Sequence, residues 1–326
     1  MKYQSVDHIL RDADTLIRQG STKQGAVYEL PSPIMFELTD SMARFSCIAD
    51  RNSVAIPAAE SLYLLSGMTG SDFIKEFREG VSSKMIPCQN SYSLGSVLRF
   101  QGQKTENVLD YRTANAFRQK NIGFNDQLAQ VVAILKKDKT NKDAVIQFAS
   151  IQNPLDVHSV WFYSKHDMLE MLVSTGYIDV YKDLVWRLVS PFAFLHQIVS
   201  DLTEIPMGSS RFVIGCLCVD EIVSSSFFQN LTFPEIDTHN FRYPNGKLTL
   251  RDMDTLMSIM IEFVSRLDEH SLIRANPFEG DERVQMWSDY AEIFRAWKAE
   301  KLGYKAMMEH SFYHPQLRFI YKGEAL

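Results

Sequence analysis

The sequence predicts an α+β fold, and three observations carry that expectation. An amphipathic helix and two short strands open the chain, a strand, long apolar helix and strand follow in the middle, and the last third is almost wholly helical. The chain therefore divides into a mixed-sheet domain over 1–247 and a helical C-terminal extension over 248–326.

Val6, Ile9, Leu10, Ala13, Leu16 and Ile17 share one helical face, with Gly20 as a stop after Arg18. Strands are expected at Ala26 to Leu30 and Ile34 to Leu38, joined by Pro-Ser-Pro. From Ile56 to Ser66 the composition is helical, with Pro57 in the first turn and Gly67 at the end. Ser71 then caps a short helix, SDFIKEF. Gly80 to Thr105, rich in Ser, Gln, Gly and Asn, reads as an irregular insertion. Asn125 caps a helix to Lys137 with Leu128, Val131, Val132 and Leu135 as its apolar stripe. Strands follow at Ala144 to Ala149, Val160 to Tyr163 and Met168 to Ser174, then a helix from Val180 to Leu202 and the strand SRFVIGCLCV. Beyond EIDTHNFRYPNGK, helices start at Thr249 with Asp252 and at Asp281, and Gly303 closes the second.

Composition narrows the function classes. Hydrophobic residues make up 45% of 326, enough for a large core, and 34 Lys+Arg against 40 Asp+Glu leave a charge of -6 that does not attract nucleic acid or anionic lipid. The longest apolar region, Leu184 to Val199, is interrupted by Arg187, Pro191 and His196, so no membrane span is expected. Four cysteines read as reduced thiols and a cytoplasmic location, and the charged N-terminus does not read as a signal peptide. Cys216 and Cys218 share a strand face but lack further ligands, so no metal site is expected. Asp252 and Asp254 are ordinary partners of a helix dipole, and Trp287, Tyr290, Phe294 and Trp297 form a stripe for core or subunit contact. No Gly-rich phosphate loop, Gly-x-Ser-x-Gly elbow or His-Glu-x-x-His motif occurs.

The order of several segments resembles the thymidylate synthases and the related deoxycytidylate hydroxymethylases. LEMLVSTGYIDVYKDLVWRLVSPFAFLHQIVSDL lies along that family's strand, Arg-Ser-x-Asp element and buried helix, keeping Asp179. AAESLYLLSG is similar to Glu-Leu-Leu-x-x-Leu-x-Gly and places Glu60 at its glutamate. DYRTANAFRQKNIGFNDQLAQVVAILKKD follows Tyr-Gly-x-x-Trp-Arg and the Asp-Gln helix, with Tyr111 at the active-site tyrosine, and NPLDVHSVWFY places His158 at the histidine of Pro-Cys-His. The likeness covers about the first 220 residues and implies a thymidylate synthase-like mixed sheet with a long buried helix, a homodimer formed through that sheet, and a reduced folate as the one cofactor to consider.

The departures bear on chemistry. Val157 stands at the nucleophilic cysteine, and a valine has no lone pair to add to a pyrimidine. The phosphate-binding arginines are gone: Lys23 is the nearest cation to the first, Lys142-Asp143 replaces the pair, and Gly176-Tyr177 replaces Arg-Ser. Arg187 stands at the asparagine that reads the base, and a guanidinium in an apolar run needs an anion, from Asp179, Glu60 or a ligand. Glu60 either organises proton transfer or lies at a solvated edge. Asp179 either orients an amide or caps the helix it precedes. His158 is either a base or a core histidine, and Tyr111 either a proton relay or a core tyrosine. The expected function is a pyrimidine-modifying or one-carbon-transfer-derived enzyme, transferase-like and acting without the cysteine on a small molecule such as a pyrimidine nucleoside or nucleotide. The alternative is a non-catalytic dimeric scaffold or regulatory binding protein on the same fold.

Overall fold

Helix α1 (Val6–Gly20) buries Val6, Ile9, Leu10, Ala13 and Ile17, the face its periodicity marks. The computed structural model describes residues 1–47, 51–68, 72–77, 93–100, 126–148, 157–219, 238, 241–243, 247–268, 276–304 and 311–322. Tyr111, Cys88, Ser71, Asn125 and most of the 80–105 stretch lie outside these. Among the described residues no helix is long and apolar enough to cross a membrane.

The strands are β1 (Lys2–Tyr3), β2 (Thr22–Gln24), β3 (Val27–Leu30), β4 (Ile34–Leu38), β5 (Val145–Gln147), β6 (Val157–Lys165), β7 (Met168–Asp179) and β8 (Met207–Val219). They form one mixed sheet in the order β1-β4-β8-β7-β6-β5, with β3 beside the far end of β8 and β2 beside β3. β1 and β2 carry no sequence signal, because two or three polar residues cannot show a period of two. β7 and β8 are parallel, as are β1 and β4; the other pairs are antiparallel. On one face Ile146, Val160, Val173, Phe212 and Phe36 stand in register across five strands, all fully buried. The opposite face carries Val145, Trp161, Leu172 and Arg211, each half-buried, in the next row.

The helices are α2 (Arg51–Ser66), α3 (Asp72–Phe77), α4 (Leu94–Phe100), α5 (Gln127–Lys137), α6 (Ser190–Thr203), α7 (Leu250–Ser265), α8 (Gln285–Lys301) and α9 (Pro315–Lys322). α2 starts five residues before the expected Ile56, so Pro57 lies inside the helix and not in its first turn. Its end is as expected, since Gly67 has φ +76°, and a Cβ there would also meet Phe100 at 2.6 Å. α4 corrects the reading of 80–105 as irregular throughout. Its Gly95 is a contact residue, because a Cβ would come within 2.5 Å of the Tyr63 carbonyl and 2.7 Å of that of Leu64. α5 is capped by Asp126, whose carboxylate accepts from Ala129 N at 3.1 Å.

The helix expected over Val180 to Leu202 has two parts, a π turn over Leu184–Val189 and then α6. Pro191 has no N–H to donate to the Arg187 carbonyl, and the turn before it is wide: Leu188 N reaches Asp183 O and Ser190 N reaches Val185 O, five residues back. α6 lies on β7 and β8; α2 packs on α6, on α4 and on the π turn. The C-terminal helices join the same core through α8, which packs on α2 and α7. Its Trp287, Tyr290 and Phe294 are buried, with the Tyr290 ring 4.7 Å from that of Phe194.

Candidate functional site at the carboxyl ends of the parallel strands

β7 and β8 are joined by the π turn and α6, so both end at one edge of the sheet, with Asp179 opposite Cys218. Ligands of open α/β sheets gather outside such strand ends. Asp179 is buried and its Oδ1 accepts from Tyr181 N at 2.9 Å and Lys182 N at 2.8 Å. It therefore caps the turn that starts the crossover. Burial holds its carboxyl above the usual range, against the pull of those two bonds and of Lys182.

Arg187 lies one turn into the π segment and its Nη1 donates to Asp183 Oδ1 at 3.2 Å. Asp183, which the sequence reading passed over, is thus an anion for this guanidinium. The signal was present: a carboxylate four residues before an arginine on a helical run. Glu60 is half-buried on α2, the helix packed against the π turn. Val157 opens β6, buried and opposite Thr175, at the same end of the sheet. Lys23 is exposed on β2, its Nζ 5.5 Å from the Tyr28 ring, and Tyr28 pairs with Val219, so Lys23 belongs to that end too.

His158 stands apart. The register of β6 slips between Val157 and Ser159, and this bulge turns its side chain to solvent while its carbonyl accepts from Phe148 N at 2.9 Å. It is therefore not a core histidine. Tyr111 lies outside the described residues.

A substitute nucleophile would need a thiolate. Burial, with Asp179, Cys216, Asp183 and Glu29 nearby, pushes the Cys218 thiol up to about 12. Burial raises Cys216 as well, and burial with Asp7 raises Cys47. Among the described residues, then, no cysteine is poised to attack, and no group of three His, Cys, Asp or Glu side chains could hold a metal ion. What the strand ends offer is hydrogen bonding: the carboxylates of Asp179, Asp183 and Glu29, the Arg187 guanidinium tied to Asp183, and the lysines at positions 23 and 182. A monophosphate dianion would meet Asp179 and Asp183 beside a single arginine, a poor cradle for it. Comparison of the chain with known protein families finds no family that matches, and comparison with curated proteins finds no match.

Proposed function

We propose that this chain is a thymidylate synthase-like protein that binds a pyrimidine nucleoside, or another small molecule without a terminal monophosphate, at the carboxyl ends of β7 and β8, and modifies it without a cysteine nucleophile. The observation that carries this is the Asp183–Arg187 pair at the wide helical turn that follows Asp179 at the end of β7, with buried Val157 at the same end of the sheet. π turns concentrate at functional sites. Glu60 acts in proton transfer, Asp179 and Arg187 hold the ligand's amide edge, and a reduced folate is the one-carbon donor to test. Reduced thiols fit a cytoplasmic protein.

Calorimetry with deoxyuridine, thymidine, deoxyuridine monophosphate and a reduced folate tests it. Nucleosides bind at micromolar level and no more weakly than the monophosphate; Arg187→Gln weakens them about tenfold, as loss of a charged hydrogen bond implies. Absence of binding across the panel overturns the proposal.

A second reading, a non-catalytic homodimer, is favoured by the half-exposed sheet face, where Met35 is 44% exposed beside Val213, Leu172 and Trp161. Sedimentation of the wild type and Leu172→Glu tests it, and Glu60→Gln separates the readings: an enzyme loses turnover and keeps its fold, whereas a scaffold is unaffected.

A further inference from the structure

A cleft of about 490 Å³ lies at the other end of the sheet, lined by Lys2 and Tyr3 of β1, Gln4, His8 and Arg11 of α1, and Thr39 after β4. β1 pairs with the end of β4, which pairs with Ser210 near the start of β8. At about 3.3 Å per residue that is roughly 26 Å along β8 from Cys218. The cleft is thus separate from the strand-end site.

Its chemistry differs from that of the surface as a whole. In a chain of net charge -6, the described lining holds an ammonium, a guanidinium and an imidazole, and no carboxylate. Two acids adjoin the lining: Glu37 is 4.0 Å from Lys2 Nζ, with 75% of the Lys2 side chain exposed, and Asp12 is 3.8 Å from Arg11 Nε and acts on the Tyr3 hydroxyl. The Arg11–Asp12 pair is exposed on both sides and weak, and Lys2 is a long outer contact of a Glu37 carboxylate that Arg211 and Ser209 already hold. The floor is firm, since the Tyr3 ring packs on Phe36 at 5.8 Å and the Tyr3 carbonyl accepts from Thr39 N at 2.8 Å and Thr39 Oγ1 at 3.0 Å. His8 is held by Ser5, whose Oγ is 2.8 Å from Nδ1.

We infer that this cleft binds a soluble small molecule through a phosphomonoester group, with the Arg11 fork and the Lys2 ammonium meeting the dianion and Gln4 and Thr39 beside the remainder. Two full charges match a phosphate dianion better than a single carboxylate, and the volume suits a sugar phosphate.

Calorimetric titration of the full chain with inorganic phosphate and with glucose 6-phosphate tests this. Both bind, the sugar phosphate more tightly; Lys2→Gln and Arg11→Gln, both at exposed positions, weaken binding about tenfold together, and added salt weakens it further. No heat at millimolar probe, or wild-type affinity in the double variant, overturns the inference. So does binding only to vesicles containing phosphatidic acid, which would make the cleft a lipid-headgroup contact. Arg187→Gln leaves phosphate binding unchanged; if it abolishes binding, the phosphate sits at the strand ends and the inference fails. The nucleoside titration reads the other site independently.

Discussion

Arg99 and Arg44 are both sealed from solvent, and they are accommodated in different ways. Arg99 Nε donates to Asp126 Oδ2 at 2.8 Å, Nη1 to the Leu65 carbonyl at 2.9 Å and Nη2 to Asp254 Oδ1 at 3.1 Å. One side chain of α4 thus ties α2, α5 and α7 together. Arg44 donates from Nη1 to Gln197 Oε1 at 2.6 Å, while Nε and Nη2 have no hydrogen-bond partner among the described residues. It lies instead 5.3 Å and 5.5 Å from the Phe45 and Phe194 rings. The first charge is neutralised by contact and serves as a clasp; the second is stabilised by ring faces and interacts electrostatically with the Asp201 carboxyl. The difference teaches that burial alone does not say what a charge contributes, because the loss on removal depends on what is left unpaired.

The largest effect expected is at the clasp. Arg99→Met leaves two carboxylates without their cation and costs about 3 kcal/mol, at the low end for a broken buried pair because Asp126 and Asp254 keep some water. Arg44→Met removes two orphaned donors along with the charge, so its cost stays below about 1 kcal/mol. Urea unfolding of the two variants measures both, and equal losses would break the distinction.

A second expectation concerns pH. Burial pushes the Asp201 carboxyl up to about 7, although Arg44 and Gln197 pull it down. The folded state then keeps a proton that the unfolded chain releases near its usual carboxylate pKa of about 3.9. The stabilisation is complete below that value, falls as pH rises through about 7 and levels off above, amounting to a few kcal/mol. Asp201→Asn should flatten this decline relative to the wild type in unfolding curves between acid and neutral pH; parallel profiles would refute it.

The smallest effect is at the start of α7, where Thr249 and Asp252 form a reciprocal cap. Thr249→Ala costs about 1 kcal/mol. Because α7 delivers Asp254 to Arg99, the cost should shrink in the Arg99→Met background, and strict additivity would show that the cap and the clasp do not communicate.

How much of this was legible depended on range. The stripe of α1, the Thr249 cap and the Gly67 stop are local patterns, and the structure has them where the residues place them. LGSVLRF was not legible as α4, since seven residues with a glycine and a serine show no period; that helix is held by Gly95 against α2 and by Arg99 in its clasp. At the candidate site the sequence pointed to Asp179 and Arg187 but not to Asp183 between them.

The sequence by itself determined the periodic elements: the amphipathic and apolar helices, the main strands and the helical last third, because side-chain spacing along one segment decides which face can leave water. Tertiary structure alone decided the parallel pairing of β7 with β8, the turning out of His158, the placing of Thr39 beside the β1 cleft and the partners of Arg99 and Arg44. Those depend on which distant segments meet, and loop closure, packing volume and charge burial settle that only once the chain has folded.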